Sequence, residues 1–541
     1  MFFNVQKLAG SFFFKFSSCL VFLIVICSFC LSIFKSVYDT DPTHPSFMYY
    51  DAKKLLDGLV LYKDIFVVYG VLTTLLQSIS LIIFGNYLIS PSVITGLLYS
   101  LSFLFFYKVL RNFNLDKNYS AITTLIIFII HPAIVLPWSN YVAYFFLILG
   151  IFFLTKSKSC FYYITAGIFL GLSVLSRQSF FLPITIFFFF LTIFELSKYK
   201  KIYIISGYIF PLLVFLLYLL FKDLFYFWTL ATFKWPAIIV VSQFHPDFDQ
   251  YSNIILRYLS LLIPIIKKLF FSLFDLDIKW FFYLCLLFVN IIYIVLYFFL
   301  KKNKKLFKLD LLLISILSIL FFSEAVHIPQ IIRLSTGAII GTITAAVIVY
   351  ESRVFFKIFF KNIFFLNTSI ILVFIFIFII LFKAYKTYEH VFQLEKNFSN
   401  PKVEVLKFQR YPDEISFFYQ NINSEIMRAK KKYIINYSFN FTNNALLPSL
   451  VNNTKNFQIS SHYGFEGISG LSTFGHVYKY RKDLSYNNTF FKNDIIVFQN
   501  VENKKEIFSD NFFIFSELKY PLHQKKNIML ILLPINIKQV N

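Results

Sequence analysis

Long apolar runs recur along roughly the first 383 residues, divided by short polar segments, and then the pattern stops. A hydrocarbon layer of about 30 Å is crossed by about 20 helical residues rising 1.5 Å each. Suitable runs lie at about 12–34, 91–109, 120–137, 141–155, 161–176, 180–196, 202–221, 279–300, 309–323, 331–350 and 363–383. They predict about eleven membrane-crossing helices. A further apolar stretch, 71–84, is short for a crossing. The first run, Phe12 to Phe34, is too long for a signal-peptide core and lacks a small-residue cleavage site, so it reads as a retained helix.

Basic residues fix how 71–84 is treated. With that stretch lying along the membrane surface as a juxtamembrane or re-entrant element, the short basic loops at 108–117, 156–158, 198–201, 301–305 and 353–361 all fall on one side. If it crosses, the sorting is lost. The expectation is therefore a cytoplasmic N-terminus and an extracytoplasmic C-terminal domain. Two outside loops are long, 35–90 and 222–278. Within the second, 254–273 carries Lys267 and Lys268 near its middle, which suits a helix in the interface.

After about Lys383 the chain becomes rich in Asn, Lys, Ser and Tyr. Short apolar runs such as Asp494–Val501 and Asn511–Phe515 favour strands. The predicted architecture is an all-α polytopic membrane domain over 1–383, followed by a small extracytoplasmic α/β domain over 384–541.

Composition agrees with this and excludes other classes. With 58% hydrophobic and 15% charged residues and a mean hydropathy of +0.68, a soluble chain could not cover its apolar surface. The net charge of +23 would suggest nucleic acid in a soluble protein. Here the basic residues flank apolar runs, so the charge is assigned to membrane orientation and no nucleic-acid partner is expected. The 76 Phe residues read as codon bias of an AT-rich genome. All five cysteines lie in apolar segments, which leaves the C-terminal domain without a disulfide framework and the chain without a metal-binding Cys cluster.

Candidate chemistry concentrates in the first outside loop. Asp39 and Asp41 follow the first helix, with His44 close behind. An amphipathic run bearing Asp51 leads to Gly58, then to Tyr62-Lys63-Asp64, Tyr69-Gly70 and Phe84-Gly85. Asp39, Asp41 and Pro42 have a plainer role available, capping and ending a helix. Asp51 faces either a cavity or solvent.

As a set, these features resemble the GT-C superfamily of membrane glycosyltransferases, especially its protein-mannosyltransferase-like and lipid A aminoarabinose transferase-like branch. The resemblance extends over about residues 10–200 and is strongest over 38–90. It implies a GT-C-like fold and transfer of a sugar from a polyprenyl-phosphate donor to an envelope glycan, lipid or protein at the outer face, with inversion at the sugar carbon. An acidic residue early in this loop is essential in that family, which makes Asp41 the first choice for general base or metal anchor and Asp39 the second. His44 is a candidate ligand for a divalent cation, magnesium or manganese. A second acid is often found in the next outside loop, where this chain has Asn140 in Pro137-Trp-Ser-Asn-Tyr141. Asn140 cannot act as a base, so a two-carboxylate mechanism is in doubt and a polar binding role remains.

Cations are needed to hold and stabilise the departing phosphate. Arg177 sits at an outer helix end, where the family often has a basic residue; interfacial snorkelling is the alternative. Arg333 opens another outer helix after His327, with Glu324 as its obvious ion-pair partner. Arg177, Arg333, His327, Asn140 and Asp51 are thus the candidate substrate- and phosphate-binding residues. The chain lacks a Gly-x-x-x-x-Gly-Lys-Ser/Thr loop, a His-Glu-x-x-His pair and a Gly-x-Ser-x-Gly elbow. Rival readings are an O-antigen-type oligosaccharide polymerase or ligase, which would draw on His327 and Arg333, and a lipid or polysaccharide transporter.

Overall fold

The computed structural model describes residues 2–38, 44–63, 65, 67, 70–131, 137–156, 159–195, 197–234, 265–271, 278–300, 308–325, 330–359, 398–435, 437–441, 447–451, 494–500, 512–519 and 528–540. The membrane domain contains α1 (Phe2–Val37), α2 (His44–Leu56), α3 (Val71–Phe84), α4 (Ser90–Asn112), α5 (Lys117–Ile130), α6 (Ser139–Lys156), α7 (Cys160–Ser176), α8 (Phe181–Phe194), α9 (Lys198–Phe221), α10 (Ile278–Leu300), α11 (Leu309–Leu320), α12 (Ile331–Ser335) and α13 (Thr342–Phe359). Among the described residues, stretches in α1, α4, α6, α9 and α10 are long and apolar enough to cross a membrane. The fold is that of a polytopic helical membrane protein. On α9, Ile204, Gly207, Tyr208 and Pro211 are buried while Phe210, Leu213, Val214 and Leu217 are exposed. Such an apolar face is stable only against lipid or another apolar surface.

Helix contact in lipid relies on close backbone approach rather than on excluding water. The α7–α9 pair illustrates this. A Cβ at Gly167 would overlap the Ile204 carbonyl, and one at Gly207 would overlap the Ile164 carbonyl.

Two expected helices are shorter than their apolar runs. Within the run at 120–137, α5 ends at Ile130. Pro132 follows, and His131 takes an extended conformation (φ −59°, ψ 141°) because proline crowds an α-helical residue before it. The run at 331–350 is broken into α12, a turn and α13. Gly337 sits at the break, where a Cβ would lie 2.6 Å from the Phe321 ring. The crossing expected at 363–383 lies outside the described residues. Residues 265–271, within the expected interfacial stretch, are helical.

The C-terminal unit carries helix α14 (Asp413–Lys432), a short antiparallel pair β1 (Phe398–Ser399) and β2 (Tyr411–Pro412), and a sheet of β3 (Tyr437–Phe441), β4 (Ile495–Asn500), β5 (Phe512–Lys519) and β6 (Ile528–Pro534). The sheet order is β3-β4-β6-β5, with β3 and β4 parallel and the other pairs antiparallel. Successive side chains of a strand point to opposite faces. On β4 and β6, Ile496, Phe498, Met529, Ile531 and Leu533 join the core made with α14. The alternate residues Val497, Leu530 and Leu532 pack with Leu61, Tyr62, Ile65, Val67 and Val71 of the first loop. Both sheet faces are therefore covered, one of them by the membrane domain.

The same unit meets the far end of α3. The Leu88 amide donates to the Val405 carbonyl at 3.0 Å, and Tyr87 packs edge-on to Phe408. The turn after α3 thus reaches the C-terminal domain, while Val71 at the start of α3 shares a core with Val497, Leu530 and Leu532.

Candidate functional site

A cluster of buried polar groups surrounds the start of α6. Ser139 and Asn140, its first two residues, are buried. Arg177 ends α7 in an extended conformation (φ −148°, ψ 114°), which turns its side chain out of the helical ladder. Its Nη1 donates to Ser139 Oγ at 3.1 Å and its Nε to Glu324 Oε2 at 3.3 Å. The Ser179 hydroxyl donates to the same carboxylate oxygen at 2.7 Å. The Arg177 and Glu324 side chains are only 7% and 1% exposed, so this is a desolvated pair in which Glu324 Oε2 takes two donors.

This differs from the pairing expected from sequence. Glu324 meets Arg177, not Arg333. Arg333 is buried on α12, with Nε 3.5 Å from Gln330 Oε1. The turn after it is tied to α6 and to the end of α5. Asn140 Nδ2 donates to Thr336 Oγ1 at 3.2 Å. His131 bridges two partners, with Nε2 2.6 Å from the Ser335 carbonyl and Nδ1 2.8 Å from the Tyr99 hydroxyl. A carbonyl can only accept, so Nε2 carries a proton, and in the neutral ring Nδ1 accepts from Tyr99. The segment bearing Arg333 is thus pinned through its next three residues.

Arg177, Asn140 and the Arg333 turn converge on one helix N-terminus, whose dipole favours negative charge. Such a place can hold an anion at the edge of the helical bundle.

The first loop lies next to it, with α3 between. Thr73 Oγ1 donates to the Ser176 carbonyl at 2.8 Å and Gln77 Nε2 to the Pro137 carbonyl at 2.6 Å. From another stripe of α3, Ser78 Oγ donates to the Ala52 carbonyl of α2 at 3.0 Å. Asp51 is buried on α2, between Tyr50 and Ala52, which pack into the C-terminal core. In that interface burial pushes Tyr49 well above the usual phenol range, reinforced by the charges of Asp57 and Glu404. Burial also lowers Lys53, with Asp57 and Glu404 opposing.

Asp39, Asp41 and His327 lie outside the described residues, and so does the side chain of His44, the first residue of α2. Among the described residues no group of three or more His, Cys, Asp or Glu is placed to hold a metal. The expected divalent cation concerns Asp39, Asp41 and His44, so the described side chains give it no donor set.

No known protein family matches the sequence. No curated protein matches it either. The chain is similar to a solved structure, ArnT from Cupriavidus metallidurans bound to undecaprenyl phosphate. The identity is 8% and the TM-score 0.47, over 96% of this chain and 98% of that one. The same protein in its apo state is similar at 9% identity and a TM-score of 0.44, over 97% and 98% of the two chains.

Sequence reasoning missed Ser139 and Ser179 as partners of the Arg177–Glu324 pair, and His131 as a tie to the turn after Arg333. Glu324 carried a usable signal. Two opposite charges at the ends of separate apolar runs require one another when both are buried. Local spacing favoured Arg333 as its partner, and only packing brings α7 to the end of α11.

Proposed function

We propose that this chain is a GT-C-type membrane glycosyltransferase, taking a sugar from a polyprenyl-phosphate donor and passing it to an envelope glycan, lipid or, as a lesser preference, protein. The observation that carries the reading is the buried Arg177 turn at the N-terminus of α6, beside the turn that bears Arg333. A lipid phosphate keeps its tail in the bilayer and needs cations and amide donors at the bundle edge. The first loop and the C-terminal domain cover this same end of the bundle, which supports assigning both to the extracytoplasmic face of a bacterial inner membrane.

In the reaction, Asp41, or Asp39 in its place, removes the acceptor hydroxyl proton as that oxygen bonds to the sugar carbon. The bond from that carbon to the phosphate oxygen breaks, and the phosphate leaves with the electron pair. Arg177 and Arg333 stabilise the charge it gains, and Asn140 contributes a polar contact. A magnesium or manganese ion held by Asp39, Asp41 and His44 is part of the proposal, and removal by chelation tests it separately.

The deciding experiment follows transfer from a radiolabelled polyprenyl-phosphate sugar pool into envelope material. Intact protein is compared with Asp41→Asn and Asp39→Asn, each shown to insert and accumulate normally. Loss of transfer in either variant is expected. Full transfer in both removes these acids from the chemistry. Absence of transfer by intact protein overturns the reading in favour of the polymerase, ligase or transporter alternatives.

A further inference from the structure

Helix α3 has the reverse of the pattern that suits a helix facing water. Its polar residues point inward and are engaged: Thr73 donates to the Ser176 carbonyl, Gln77 to the Pro137 carbonyl, Ser78 to the Ala52 carbonyl and Ser80 to the Ser90 carbonyl. The opposite stripe, Leu75, Ile79, Ile82 and Ile83, is exposed, Ile82 to 69% and Ile83 to 62%. An apolar stripe backed by a buried polar face is stable against hydrocarbon rather than water.

Where α3 ends, the exposed apolar surface continues into the C-terminal domain. Phe84 is exposed, and Tyr87 just beyond it packs edge-on to Phe408, with ring centroids 4.9 Å apart. Phe408 is itself 47% exposed. Lys407 Nζ lies over both rings, 5.8 Å from the centroid of Tyr87 and 5.7 Å from that of Phe408. The loop that presents these side chains is braced from within. Asn400 Nδ2 donates to the carbonyls of Leu406, Lys407 and Gln409, and Asn400 Oδ1 accepts from the Lys402 amide at 2.8 Å. Leu406 and Gln409 are buried, so Phe408 is held outward between inward-facing neighbours.

A further contact sets the depth of this loop. The Arg410 amide donates to the Val37 carbonyl at 2.8 Å. Val37 ends α1, whose stretch Ser17–Val37 is long and apolar enough to cross a membrane. The loop therefore lies at the level where a crossing helix leaves the hydrocarbon, the layer that favours aromatic rings and basic side chains together. The exposed charges of residues 402–410 are Lys402, Lys407 and Arg410 against Glu404, a net positive set.

We propose that residues 402–410 anchor the C-terminal domain directly to the adjoining leaflet, and that the partner is an anionic phospholipid surface. The rings of Phe408 and Tyr87 and the end of α3 enter the boundary between acyl chains and headgroups. Lys402, Lys407 and Arg410 meet the lipid phosphates. The C-terminal domain then has two seats, its sheet on the first loop and this loop on the bilayer. The anchor goes beyond the proposed sugar transfer and does not depend on it.

The test places a tryptophan in the patch of the full chain, reconstituted in vesicles of phosphatidylcholine and phosphatidylglycerol. The signal added by Phe408→Trp over the parent is quenched with acrylamide from the water and with lipids brominated on their acyl chains. Ile82→Trp supplies the reference for a side chain in lipid, and Tyr87→Trp reads the same patch if Phe408→Trp does not accumulate. Brominated lipid should quench position 408 to within about twofold of position 82, with weak quenching by acrylamide. Bromine carried on phosphatidylglycerol should quench more than the same bromine on phosphatidylcholine, and Lys402→Gln and Lys407→Gln should each cut that preference by up to about fivefold. Quenching by acrylamide with none by brominated lipid puts the loop in water and overturns the anchor. Shielding from both quenchers means that a protein, a second copy or another chain, covers the patch, and overturns it equally. Equal quenching by the two brominated lipids overturns the part assigned to the basic side chains.

Discussion

Removing one partner of the Arg177–Glu324 pair leaves a charge stranded in the bundle. The contact is 3.3 Å, with the two side chains 7% and 1% exposed, so solvent does little to screen either group. Isolating one member of such a pair costs about 3–5 kcal/mol, whereas replacing both by apolar groups of similar volume is often nearly neutral. Arg177→Met and Glu324→Met should therefore each lower stability by about 3–5 kcal/mol. The double variant should cost less than either single one, with a residue of about 1 kcal/mol each from the Ser139 and Ser179 hydroxyls that lose their partners. Unfolding in a mixed detergent series, followed by tryptophan fluorescence, supplies the four midpoints of the cycle. The double variant should then be stable enough to assay, yet inactive in sugar transfer, which separates the pair's structural part from its chemical part. Single variants as stable as the parent, or a double variant whose loss equals the sum of the singles, would refute the buried pair.

Two further outcomes follow from the packing. Gly167→Ala and Gly207→Ala each force a methyl group into a facing carbonyl of the α7–α9 contact, and each should lower stability by about 1–3 kcal/mol, read as a lower unfolding midpoint. At the opposite end of the bundle, Lys200 pairs with Glu195 at 2.8 Å and with Asp310 at 3.1 Å. Burial by itself would raise the Glu195 carboxyl, but bonds from Lys200 and the Ser197 amide, with the charge of Lys201, hold it below the usual carboxylate range. Its contribution is therefore present at neutral pH and is lost as pH falls through that lowered value. The stability gap between parent and Glu195→Gln should be full at pH 7 and close only in acid below the ordinary Glu range. A gap that is unchanged across that acid range contradicts the assignment.

Much of the helical scaffold was legible because lipid imposes a length and a polarity on each crossing segment. The run at 161–176 coincides almost residue for residue with α7, and 141–155 lies within α6. Strands at 494–501 and 511–515 were readable from short apolar runs and correspond to β4 and the start of β5. Helix ends were less legible where a proline or a tight contact intervened, as at His131 and Gly337. The helix α14 gave a weaker signal, since its polar face and Asn-rich sequence resemble the rest of the tail.

Sequence by itself determined that this chain lives in a membrane, where its helices run, and which charges stand out against the apolar background. It named Arg177, Asn140 and Arg333 singly. Tertiary structure alone decided that Arg177 takes Glu324 and that Asn140 and His131 hold the turn after Arg333. The physical reason is range. Hydropathy and helix propensity act over a few turns of one segment, whereas these contacts join residues such as Arg177 and Glu324, 147 positions apart. Their partners are chosen by how helix ends and a distant sheet pack, and local patterning does not encode that choice.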